Sequence, residues 1–173
     1  GVTNPFHEGD FIAVVEDPGL SQRVVIGQVL TVAGQTITVD RFDGQTAEMS
    51  PTPTSGVVRL LSGGDLAFGL PSVTAGAVAT GMLSVSAPTP SGYTLYGQAS
   101  GLLASSGHAM TPVADGVVSA GTEEYGMITL GSTAALVNEV APSTIPVSVQ
   151  QSTGLTAEGG DRDVFLYKLA ISS

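Results

Sequence analysis

The run from Asp163 to Ser173, Asp-Val-Phe-Leu-Tyr-Lys-Leu-Ala-Ile-Ser-Ser, limits what this chain can fold into more than any other stretch. A period of two puts Phe165, Tyr167, Leu169 and Ile171 on one face and Val164, Leu166, Lys168 and Ala170 on the other. Both faces are therefore largely apolar, and the run predicts a central strand covered on both sides. A central strand needs a hydrogen-bonded neighbour along each edge, because each buried N–H or C=O left unpaired costs roughly 1–3 kcal/mol. Nothing follows Ser173 in the sequence to turn back and pair with it. At least one neighbour is expected from far upstream or from another molecule. Val164, Phe165, Leu166, Tyr167, Leu169 and Ile171 are then the walls of a groove that accepts a strand.

The rest of the composition agrees with an all-β protein. Its 23 glycines, 10 prolines and absence of tryptophan go with long runs of Val, Thr, Ser and Ala, which suit short strands joined by tight turns. The best helical candidate, Ser132–Val140, is shorter than the ~12 residues an isolated helix needs. A chain of 173 residues holds one sizeable domain or two small ones, and two are expected, 1–61 and 65–173. The formal charge is −10 with five basic residues in all, which argues against a phosphate-reading nucleic-acid surface. An acidic surface almost free of lysine suits an extracellular protein. With no cysteine, stability has to come from sheet packing or assembly. No segment reaches the ~18 apolar residues of a membrane span. A start at Gly1 without methionine is the expected look of a mature, processed chain, and the long apolar helix of type IV pilins is not there.

Along the chain, Phe11–Glu16 reads as a strand ended by the turn Asp17-Pro18-Gly19, followed by strands over 23–32 and 35–42. Asp43-Gly44 is a hairpin signal, with a return over 45–49 and a last strand over 57–61. These residues resemble a small SH3-like or OB-like meander or barrel, without the basic face such modules use on nucleic acid. Ser62-Gly63-Gly64-Asp65 marks the boundary. Strands are then expected over 66–70, 77–86, 93–99, 108–113, 126–130 and 145–150, which with the terminal strand make an immunoglobulin-like or jelly-roll-type sandwich.

The motifs Leu83-Ser84-Val85-Ser86, Ser91-Gly92-Tyr93-Thr94-Leu95, the segment from Ala120 to Gly126 and Tyr167-Lys168-Leu169-Ala170-Ile171-Ser172 resemble secreted β-sandwich domains of bacterial and archaeal cell surfaces. More distantly they are similar to the fibre-forming camelysin/TasA-like group. The resemblance covers roughly the last 110 residues. In such domains a further strand follows and closes the sheet; its lack here implies a sandwich missing its closing strand, with a vacant edge that a neighbour fills.

Constellations for chemistry are sparse. Glu123 and Glu124 are adjacent, so on an extended segment they point to opposite faces and do not converge. His7 and His108 lie far apart, and no Gly-x-Ser-x-Gly elbow or Asn-x-Ser/Thr sequon occurs, so no enzyme is expected. Glu158, Asp161 and Asp163 gather carboxylates that calcium would suit, with Arg162 opposing a cation, so the plainer reading is a salt-bridged turn and no cofactor. Lys168, the single lysine, together with Asn138 and Glu139 imitates the isopeptide cross-link of some surface pilins, the alternative being a lysine that snorkels to the surface.

Two functions follow. The first is a subunit of an extracellular filament built head-to-tail from copies of itself by strand donation, with the donor drawn from Val2, Phe6, Phe11, Ile12, Val14 and Val15. The second is a surface-binding module, such as a capsid-decorating or carbohydrate-binding domain, in which the N-terminal meander completes the sandwich within one chain.

Overall fold

The computed structural model describes residues 4–52, 54–61, 68, 70–105 and 107–173. The expected boundary at 62–65, Val2 and most of the strand expected over 66–70 lie outside them. The strands are β1 (Phe11–Glu16), β2 (Arg23–Ala33), β3 (Thr36–Val39), β4 (Asp43–Gly44), β5 (Gly56–Leu61), β6 (Ala77–Val85), β7 (Tyr93–Gly97), β8 (Ala104–Ser105), β9 (His108–Ala109), β10 (Thr111–Pro112), β11 (Glu124–Leu130), β12 (Val147–Ser152) and β13 (Asp161–Ala170). One short 3-10 turn, Thr46–Glu48, stands where a return strand was expected.

Three layers are stacked. The first is an antiparallel leaf in the order β3-β2-β1-β5, with β4 rejoining the edge of β2. It stays open at β3 and β5 among the described residues, as a meander does and a closed barrel does not. The middle layer runs β10-β11-β13-β6. The third is the ribbon of β7 and β12, whose second edge is held by residues 133–135 through Ala135 N–H to the Val149 carbonyl (3.2 Å) and Gln151 N–H to the Thr133 carbonyl (2.8 Å).

The terminal strand β13 is central, as its two apolar faces require. Its even residues face the first leaf: Val164 and Leu166 pack with Ala13, Val15, Val24, Ile26 and Val78 in one buried cluster. Each such side chain withdrawn from water stabilises by about 2 kcal/mol. Its odd residues face the ribbon.

The expected vacancy beside β13 is not present. β11 pairs with it from Glu124↔Ala170 to Leu130↔Val164, and β6 pairs with its other edge from Asp161↔Val85 to Leu169↔Ala77. The missing neighbour is thus a strand of the same chain, far upstream. Nor is Phe11–Val15 free to be donated. β1 is paired with β2 along one edge and with β5 along the other, and Ile12 and Val15 are buried. The main core runs across the expected boundary, since residues 13–26 and 78–166 build it together.

Asp43-Gly44 does not make a hairpin turn; it is β4 itself. Gly44 has φ +110°, and a Cβ there would lie 2.7 Å from both Val164 Cγ2 and the Val24 carbonyl, so only glycine lets this segment press onto β13.

Candidate functional site

The outer face of the middle layer is only partly covered. A groove of about 400 Å³ lies beside β7, floored by Leu83, Met127, Phe165 and Tyr167 and walled by Leu95 and Val149. Alternation along β7 explains the wall: Leu95 turns inward, whereas Tyr96, with 62% of its surface exposed, lines only the rim of the groove. Tyr167 is fixed by neighbours, its ring edge-on to Phe68 at 5.5 Å and stacked on Tyr125 at 6.2 Å. Burial, with Tyr125 alongside, pushes the Tyr167 phenol up to about 12, so it is neutral at physiological pH. No Asp, Glu, Lys or Arg lines this groove. Among the described residues β7 pairs with β12 alone, and no described strand lies along its other edge next to the apolar floor.

The residues singled out in sequence fall as follows. Phe165 and Tyr167 belong to this groove, Val164 and Leu166 to the core on the opposite face, and Leu169 and Ile171 are half-buried near the end of β13 and beyond it. Phe6 is half-buried, with its N–H on Asn4 Oδ1, and Asn4 in turn donates to the Gly34 carbonyl, so residues 4–6 rest on their own chain. Phe11 lies beneath the guanidinium of Arg162, 5.7 Å from ring centre to Cζ. Val14 is half-buried within β1.

Lys168 does not snorkel. Its Nζ pairs with Glu139 Oε1, and the two side chains are only 12% and 8% exposed. Glu139 Oε2 accepts the Val118 N–H. Asn138 is exposed and lies against Gly116. The acid of the imagined isopeptide set therefore engages the lysine directly, and no contact brings the amide to it.

Glu158, Asp161 and Asp163, weighed as a calcium loop against a salt-bridged turn, do not come together as a set of three. The Glu158 and Gly160 carbonyls accept from the Arg41 guanidinium. Arg162 is 3% exposed and turns inward to Asp40 Oδ2 (2.8 Å) and Asp43 Oδ2 (2.9 Å), so the salt bridges of this turn reach the first leaf instead of closing within it. Asp161 and Asp163 face the ribbon. No three His, Asp or Glu side chains converge among the described residues. Glu123 and Glu124 diverge as expected: Glu123 meets His108 Nε2 at 2.9 Å, and Glu124 accepts from Ser119 N–H and the Thr122 hydroxyl.

The sequence pattern missed Tyr96, Leu95 and Leu83 as groove residues. Their alternation was visible, but which layer would leave them uncovered depends on long-range pairing. No family model, curated protein or solved structure matches this chain, so the likeness to camelysin/TasA-like subunits rests on its short motifs alone.

Proposed function

We propose that the chain is a non-catalytic extracellular surface module, a sandwich closed within one chain that takes an extended apolar peptide segment beside β7. The observation that carries this reading is the edge of β7 that pairs with no described strand, next to the uncharged groove. Backbone groups on such an edge give affinity to any strand, and pockets beneath it select alternate side chains. A sugar-binding role is less well supported, because Gln98 and the tyrosines supply the few polar side chains of the groove. We read the architecture as an immunoglobulin-like or jelly-roll-type sandwich whose closing leaf is supplied by residues 11–61.

A random peptide library selected on the purified chain, and counter-selected on a Leu83→Arg variant, tests the reading. Selected sequences are expected to carry apolar residues at alternating positions and to lose binding to the variant. Peptides that bind both proteins equally overturn it. Sedimentation at micromolar concentration should give a compact monomer or a small closed oligomer.

The filament reading keeps one observation in its favour. β5 is an outer strand with Val57, Val58 and Leu60 between 41% and 47% exposed, an apolar edge of the kind that recruits a second sheet. Open head-to-tail polymers in the same sedimentation experiment would favour it over the closed module.

A further inference from the structure

We propose that Asp161, Asp163, Gln150, Tyr93 and Thr133 form a site for one hard divalent cation, with calcium the best fit. The five come from three places: β13 supplies the two carboxylates, the ribbon supplies Tyr93 and Gln150 from above, and the segment holding the second edge of β12 supplies Thr133.

Hydrogen bonds hold the cluster together without completing it. Thr133 donates through N–H (3.3 Å) and Oγ1 (2.8 Å) to the two oxygens of Asp163. Gln150 Nε2 donates to Thr133 Oγ1 (3.0 Å) and reaches the Asp161 carbonyl at 3.4 Å. Its amide head is thereby fixed between both acids. Asp161 Oδ1 accepts from Ala157 N–H at 2.9 Å. Gln150 Oε1 is buried with no partner, and two further buried oxygens, Asp161 Oδ2 and Tyr93 Oη, lie near one another without a well-aligned hydrogen bond. Gln150 and Asp163 are 0% exposed, so water at the surface does not reach them.

Charge makes the same demand. No Lys, Arg or His forms an ion pair with Asp161 or Asp163 among the described residues, and buried carboxylates are ordinarily paired or bound to a metal. Gly131 shapes the roof: with φ +148° its backbone passes so close that a Cβ would lie 2.0 Å from Asp163 Oδ1.

An oxygen-only donor set favours calcium over softer metals, and calcium accepts irregular geometry. Two carboxylates with neutral oxygens place the affinity in the class of extracellular modules, a Kd on the order of 10⁻⁴ to 10⁻³ M.

Terbium replaces calcium and emits when a nearby tyrosine is excited, and the chain has no tryptophan to interfere. The purified chain is expected to give sensitised emission that calcium displaces. The emission should be lost in Tyr93→Phe, and calcium affinity should fall at least tenfold in Asp161→Asn. Calcium at about 100 times its Kd should raise Tm by about 5 °C over the protein in EDTA. No calcium-dependent change in Tm means a bound water only and overturns the proposal. So does terbium emission that survives Tyr93→Phe undiminished. Should Asp161→Asn fail to fold, the Tyr93→Phe emission and the wild-type Tm still decide.

Discussion

Lys168 and Glu139 sit where a mistake is costly: each is nearly buried, and each neutralises the other. Lys168→Ala leaves the Glu139 carboxylate buried beside Val118 with no cation, and should lower stability by about 3 kcal/mol in urea denaturation. Lys168→Met with Glu139→Leu should recover most of that loss, because no charge is then stranded. Intact mass should equal that of the plain sequence, with no ammonia or water lost, since the pairing is ionic. Two aspartates give opposite pH responses. Asp163 is raised from 3.8, so the stability tied to its proton is present below that value and is lost as pH rises through the raised one. Asp40 is lowered: burial pushes it up, but the Gln28 and Arg41 N–H groups and Arg162 outweigh burial. Its contribution is therefore present above 3.8 and is lost as pH falls through the lowered value. Measured in EDTA, Asp163→Asn should gain stability relative to wild type on going from pH 3 to pH 7, whereas Asp40→Asn should lose it.

At the scale of elements, the loop from Asp40 to β4 and the turn before β13 are clamped by Arg41 and Arg162. Arg162→Met removes the buried half of the clamp, leaving Asp40 and Asp43 facing Arg41 alone. A loss of about 3 kcal/mol is expected, read as a fall in the urea midpoint with an unchanged slope. Much of this layer was legible in the sequence. Alternation located β1, β2, β6, β7 and β11 to within a few residues, and it assigned Phe165 and Tyr167 to one face of β13 and Val164 and Leu166 to the other. What it could not supply was the identity of neighbours. A period of two says that β13 wants company on both edges, but says nothing of whether β6 or another molecule provides it. Arg162 was misread for the same reason: its partners lie at residues 40 and 43, beyond any local pattern.

For the whole molecule, the shared core predicts a single cooperative unit. Calorimetry should show one transition, and segments 1–61 and 65–173 expressed separately should both remain unfolded, because each exposes half of the Val15–Ile26–Leu166 cluster. Deleting residues 1–10 should leave that transition in place, whereas deletion through Glu16 removes a strand paired on both edges and should abolish it. The position of β13 in its layer also has a consequence in time. During synthesis β6 ends at Val85, yet its partner begins only at residue 161, and β1 and β2 wait longer still for Val164 and Leu166 to cover them. A nascent chain of this topology cannot close its core until β13 has been made, and its refolding belongs with the slow, long-range β proteins of the millisecond-to-second range. Until β13 has emerged, such a polypeptide keeps its uncovered strands within reach of proteases and chaperones.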